Sequence, residues 1–328
     1  MLSVTGAPGV ALHGGPYPST STPKDAPLIP QVSEGKVEVQ SGPFDRLVWT
    51  PIPRSSSQLF AEDGKPLESK DIAGKILSEQ FFAIESPHGS QGYPGKLRVE
   101  VWFALSAGSS SSFSSGKGKS AGAIHLNYRA KLLSPESECK ATPFNITHHW
   151  GFNLSASSTL PEALKEGGKI DEHIMRYTPP SSTSIQLLGL DEKALPTGKL
   201  EQIKKSTPHD FSLNGGKKFG ENMPEGGYDH YYFWGPPATL AEDRVEVKAA
   251  STGLRLTFKT NQTGVQCYTT NGQPAYPADR QATGGARKLL HRHPEGAEKE
   301  AGGKGYGNQE RCCVMLEFGS PHATFLHD

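Results

Sequence analysis

Residues 244–270 read R-V-E-V-K-A-A-S-T-G-L-R-L-T-F-K-T-N-Q-T-G-V-Q-C-Y-T-T, and the fold class turns on this stretch. Apolar and polar residues alternate through V-E-V-K, L-R-L-T-F-K-T and V-Q-C-Y-T-T, the two-residue period of strands with unlike faces. Ser251-Thr252-Gly253 and Gln262-Thr263-Gly264 separate the three runs and are built from turn formers. Three successive strands in a meander are expected.

The same pattern extends outward in both directions. Phe44 to Pro51, Phe81 to Glu85, Leu97 to Leu105, Ile124 to Leu133 and Ile170 to Tyr177 read as strands, and Cys312 to Gly319 reads as the last one. Pro161 to Glu166 has room for one helical turn, while Leu195 to Lys199 and Ser206 to Phe211 read as turns. Gly108 to Gly122 reads as a flexible hairpin tip, and 37 Gly and 26 Pro along the chain supply the many turns that short strands require. The chain is expected to be mainly β.

Composition excludes several classes of partner. The 328 residues carry 34 Lys and Arg against 34 Asp and Glu, interleaved, so no long-range field gathers nucleic acid or anionic lipid. A small neutral ligand fits better. No stretch approaches the apolar length of a membrane span, and the opening residues lack the basic start and apolar centre of a signal peptide, so a cytoplasmic location is expected. Cys139, Cys267, Cys312 and Cys313 lack metal-ligand spacing and read as free thiols in a reducing compartment. Three sequons, at Asn145, Asn153 and Asn261, carry no weight without secretion. His291 and His293 lie in a charged, Gly-rich stretch with no third ligand nearby, which reads as a solvated loop. The sequence leaves the oligomeric state open.

Candidate chemistry begins with residues 145–154, N-I-T-H-H-W-G-F-N-L, where two adjacent histidines in a β-type run face opposite ways. One of them is a candidate for proton transfer; the alternative is one solvated and one core ring. His13 precedes two glycines that let backbone approach a ligand, or is simply a loop residue. Gly226-Gly227-Tyr228-Asp229 can deliver a carboxylate to a hydroxyl-binding corner, or is only a turn. Gln266 alternates with Val265 and Cys267 and marks a polar face. Glu317 stands in the apolar run C-C-V-M-L-E-F-G, either exposed on an edge or partly desolvated.

Taken together and in order, these segments resemble the aldose 1-epimerase (galactose mutarotase) family. The histidine stretch resembles the family's T-N-H-S-Y-F-N-L, and Leu12 to Gly15 its L-H-G-G. Phe44 to Trp49 resembles F-D-x-x-x-W, Ser86 to Gly95 resembles S-P-D-G-x-x-G-Y-P-G with His88 in place of aspartate, and residues 227–230 match G-Y-D-H. Leu195 to Lys199 resembles P-T-G-E, Ser206 to Phe211 resembles T-P-F-D-F, and Leu316-Glu317 resembles the C-terminal L-E segment.

The resemblance implies a large antiparallel β-sandwich of the galactose mutarotase-like (supersandwich) type, with residues 1–328 as one domain. It implies an isomerase that interconverts the α and β anomers of a free hexose without cofactor or metal. In that reading His149 acts on the ring oxygen, Glu317 is the base, and His13, Asp229 and Gln266 contact sugar hydroxyls, with acid and base on opposite sides of the sugar. The chain departs from the family pattern in two places. No G-R-x-x-N-R segment precedes His13, so the domain is expected to be N-terminally incomplete, with a non-catalytic carbohydrate-binding or regulatory relative as the alternative. His148, Trp150 and Gly151 replace Asn, Ser and Tyr, which leaves the preferred sugar open. A hexose-phosphate epimerase would want an arginine cluster, and the sequence shows none.

Overall fold

The alternation read from the sequence becomes a set of antiparallel sheets in the computed structural model, which describes residues 39, 44, 47–60, 75–108, 121–135, 137–155, 160–166, 168–178, 184–192, 196–212, 215–235, 243–271 and 310–321. His13, most of the hairpin tip at 108–122 and the loop at 284–307 lie outside the described residues, apart from the tip's ends. The chain divides into two compact units, residues 1–148 and 149–328.

In the first unit four strands run in the order β1 (Thr50–Ile52), β2 (Ile76–Ser86), β3 (Leu97–Ala107) and β4 (Gly122–Leu132). Side-chain alternation along β2 and β3 feeds a separate apolar cluster on each face. Ile84, Leu97 and Val99 pack with Phe44 and Ile146 on one, and Phe81, Trp102 and Ala104 with Ile52 and Phe60 on the other. The second face also carries a buried ion network. Arg98 bonds Glu85 and Glu100, and Glu100 further accepts from Ser57 Oγ and the backbone N–H groups of Gln58 and Leu59. A carboxylate can lie there because every lone pair has a donor. His88, where the resembled segment has aspartate, accepts the Gly95 N–H at its Nδ1 at 3.2 Å.

The second unit is a sandwich of two sheets. One has the order β5 (Gly151–Phe152), β14 (Val314–Gly319), β13 (Gly264–Tyr268), β10 (Asp229–Phe233), β7 (Gln186–Leu190), β8 (Pro196–Gln202). The other has the order β12 (Leu254–Phe258), β11 (Val245–Ala249), β6 (Ile174–Tyr177), β9 (Lys217–Lys218). A single helical turn, α1 (Pro161–Lys165), interrupts the strands. Met175, Tyr177, Val245 and Val247 from one sheet meet Tyr232, Val265, Cys267, Val314, Leu316 and Phe318 from the other in one buried cluster. Each large apolar side chain so buried contributes roughly 1.5–3 kcal/mol. The mainly β, antiparallel sandwich expected from the sequence is what the chain forms.

Three local expectations are corrected. The 244–270 stretch does form three strands, but only β11 and β12 pair with each other, and β13 crosses to the other sheet. The crossing is fixed by β10, whose end grips the connection: Trp234 Nε1 donates to Gln262 O and Trp234 N–H to Thr263 O. Pro196 to Lys199 is part of a strand instead of a turn. Pro196 opens edge strand β8, where a missing N–H is tolerated, and a register shift against β7 absorbs the irregularity. Within residues 145–154 only Gly151–Phe152 joins a ladder, because Asn153 turns the chain directly afterwards, its Oδ1 accepting the Ser155 N–H.

Candidate active site

Alternation in the larger sheet of the second unit decides which side chains can do chemistry. Val314, Leu316 and Phe318 of β14, Val265 and Cys267 of β13 and Tyr232 of β10 point into the sandwich. Glu317, Gln266, Asp229 and Tyr231 sit at the intervening positions and therefore share the opposite face. Register then sets their order. Gln266 lies opposite Glu317 across β13 and β14, and Tyr231 lies opposite Gln266 across β10 and β13. Asp229, two residues from Tyr231, is the diagonal neighbour of Gln266, and Gln266 Nε2 donates to its Oδ1 at 2.7 Å.

The histidine arrives from the sheet edge. Strand β5 pairs Phe152 with Val314 and Gly151 with Met315, and continuing that antiparallel register by two residues brings His149 opposite Glu317. The side chains meet there: His149 Nε2 lies 2.9 Å from Glu317 Oε1. The carboxylate side chain is 8% exposed and the imidazole 26%, so the pair is sheltered and still open to a ligand. The two groups expected on opposite sides of a sugar are in direct contact.

Glycines make this approach possible. A Cβ at Gly151 would collide with Cys313 Sγ, so a side chain there would have to displace that sulfur for β5 to seat against the start of β14. Gly226 and Gly227 both have φ near +80°, a region that side chains rarely adopt, and a Cβ at Gly227 would collide with the Asn271 amide. That turn is locked from behind. Asn271 Nδ2 donates to Tyr228 O, and the Tyr228 N–H donates to Thr269 Oγ1. Asp229 is delivered to the face by a fixed corner.

Beneath Asp229 lies a cluster with its own electrostatics. His230 Nδ1 accepts the Asp229 N–H at 3.0 Å, and the His230 ring lies 4.4 Å from that of His209. His209 bonds Tyr232 Oη at 2.9 Å. Burial, reinforced by His230 and Lys217, pulls His209 down to about 4, and burial lowers His230 as well. Lys217 is also lowered by burial; its Nζ donates to Pro208 O and lies 4.6 Å from the Phe211 ring centre.

The structure thus brings four of the five sequence-derived residues onto one face, and the fifth, His13, lies outside the described residues. Sequence reading missed Tyr231, which is 3% exposed and donates from its Oη to Gly319 O at 2.6 Å. Its spacing of two from Asp229 in D-H-Y was the available signal. Asn153, read as a sequon and as part of the resembled F-N-L segment but given no role, donates from its amide nitrogen to Gly168 O at 3.1 Å and Cys312 O at 2.7 Å. His173 is fully buried and accepts the Leu154 N–H at Nε2. Among the described residues no three His, Cys, Asp or Glu side chains are placed to hold a metal ion, and no helix is long and apolar enough to cross a membrane.

Similarity to known proteins covers most of the chain. The sequence profile described as "Aldose 1-epimerase" matches residues 73–299. Human galactose mutarotase is 28% identical over 233 residues, covering 70% of this chain and 50% of that protein. The bovine galactose mutarotase is 26% identical over 253 residues, covering 73% and 56%. A solved galactose 1-epimerase from Lactobacillus acidophilus superposes with a TM-score of 0.47 at 15% identity, covering 76% of this chain and 58% of that one. The chain belongs to the aldose 1-epimerase family. It spans about half the length of the curated relatives it matches.

Proposed function

We propose that the chain carries the catalytic pair of an aldose 1-epimerase that interconverts the α and β anomers of a free hexose, galactose or glucose. The observation that carries this reading is the 2.9 Å contact between His149 Nε2 and Glu317 Oε1, flanked by Gln266 and Asp229 on the same sheet face.

The reaction needs only proton traffic. Glu317 takes the C1 hydroxyl proton while His149, carrying a proton, gives it to the ring oxygen, and the C1–O ring bond breaks. The aldehyde rotates about its bond to C2. The two groups then reverse their roles, the carboxyl returning its proton to the carbonyl oxygen as the hydroxyl, deprotonated by His149, closes the ring. Both reacting oxygens are bonded to the same carbon, so the contacting pair has to part by only a few ångström for each group to reach its oxygen at about 2.6–3.2 Å. Asp229 and Gln266 hold neighbouring hydroxyls and fix the ring while this happens. Asp229 accepts from hydroxyls, and the Gln266 amide both donates and accepts.

The test is polarimetry of freshly dissolved α-galactose and α-glucose with the purified chain. Acceleration of the approach to anomeric equilibrium over the buffer rate is expected with one or both sugars. Sugar binding by calorimetry without acceleration would replace the enzyme with a carbohydrate-binding relative.

A further inference from the structure

We propose that Asn153 is a positioning residue that holds His149 against Glu317. The kinetic part of this inference rests on the mutarotase reading above. The β5–β14 ladder, which sets His149 opposite Glu317, is only two residues long on its β5 side. Two ladder residues at a sheet edge are a weak constraint on a side chain two positions further along. The stretch just after β5 supplies what the ladder lacks. Asn153 Nδ2 has two hydrogens and gives both to backbone carbonyls, one to Gly168 and the other to Cys312, two residues before β14 begins. The side chain therefore ties the end of β5, which begins two residues after His149, to the root of the strand carrying Glu317.

Neighbouring bonds make the tie stiff. The Leu154 N–H is held by His173 Nε2 at 2.9 Å, and the Leu154 carbonyl accepts from Thr252 Oγ1 at 3.1 Å. Asn153 Oδ1 accepts the Ser155 N–H, fixing the amide so that its nitrogen faces the two carbonyls. A longitudinal slip of β5 along β14 would break the Cys312 bond and carry His149 away from Glu317 together, so register and catalytic contact are one constraint. A displacement of about 1 Å between reacting groups can cost 100-fold in rate.

The experiment compares Asn153→Asp with the unaltered chain. Aspartate keeps the acceptor that Ser155 uses and replaces the donor with an oxygen facing two carbonyls. Three quantities are read: kcat and KM for α-galactose by polarimetry, the folded fraction by circular dichroism, and the pH titration of the His149 imidazole by 15N NMR. Glu317→Gln supplies the titration of a His149 without its carboxylate. Asn153→Asp is expected to lose about 100-fold in kcat with KM within threefold, while its His149 titration moves onto that of Glu317→Gln. A kcat within threefold of the unaltered chain, a loss no larger than the lost folded fraction, or an unchanged His149 titration overturns the proposal. Should Asn153→Asp not fold, Asn153→Ser, which adds no charge, is read against the same outcomes. Absence of turnover in the unaltered chain would remove the mutarotase reading alone. The imidazole titration then decides the tether: overlap of Asn153→Asp with Glu317→Gln upholds it, and overlap with the unaltered chain overturns it.

Discussion

Gln266 stands directly opposite Glu317 on the β13–β14 ladder and donates its amide to Asp229 Oδ1 at 2.7 Å, so one side chain lies between the two carboxylates on the same sheet face. Asp229→Asn exchanges a charged acceptor for a neutral amide. Hydrogen bonds to charged groups contribute about 1.5–3 kcal/mol, so KM for α-galactose is expected to rise about 10- to 100-fold with kcat within threefold. Gln266→Ala is expected to raise KM less than Asp229→Asn does, since it removes a neutral partner. Initial-rate polarimetry over a range of sugar concentrations checks both. A fall in kcat at constant KM would move Asp229 from binding to chemistry.

Gly151 is required by close approach. Any Cβ there would collide with Cys313 Sγ, so Gly151→Ala is expected to destabilise the second unit by about 1–3 kcal/mol, the usual cost of overpacking. Cys313→Ala removes the obstructing sulfur. The double variant is expected to recover most of the loss, which urea midpoints measured for all four proteins would reveal as a coupling energy. Simple additivity would mean that the strain at residue 151 lies elsewhere.

Acid should weaken the fold through His209. Its folded value is about 4, below the unfolded value near 6.5, and burial beside His230 and Lys217 is the cause. Above about pH 6.5 the ring is neutral in both states and the stability is fully present. Between about 6.5 and 4 the unfolded chain takes up a proton that the folded chain refuses, so stability falls with pH; below about 4 this residue adds no further loss. His209→Phe is expected to flatten that limb by one proton's slope in a series of urea midpoints from pH 7 to 4. Part of the remaining slope belongs to His230, His173 and His125, each also lowered by burial, and toward pH 4 part belongs to the lowered carboxyls of Glu79, Glu85 and Glu100. An unchanged limb in His209→Phe would contradict the assignment.

Much of the fold and the site is legible in the chain alone, and the remainder shows what a linear reading lacks. The two-residue period of V-E-V-K, L-R-L-T-F and V-Q-C-Y specifies strands, because a half-buried strand writes its faces into its sequence. It does not specify that β13 leaves β12 for β10 and β14, because pairing partners are chosen by contacts distant in sequence, such as Trp234 against the 262–263 connection. Glu317 and Gln266 are legible as polar interruptions of apolar runs. Their adjacency is not, since it depends on a register that only the folded ladder fixes. Asn153 illustrates the same limit. Read alone it is a sequon; its meaning comes from carbonyls 15 and 159 residues away.

The central claim, that His149 and Glu317 form one proton-transfer unit, is tested most directly by the turnover of Glu317→Gln and His149→Asn on freshly dissolved α-galactose, with folding checked by circular dichroism. Each substitution alone is expected to reduce kcat by about 100- to 10,000-fold while the fold persists, and the pair together is expected to cost little more than either. Turnover at the unaltered rate in either folded variant would contradict the account.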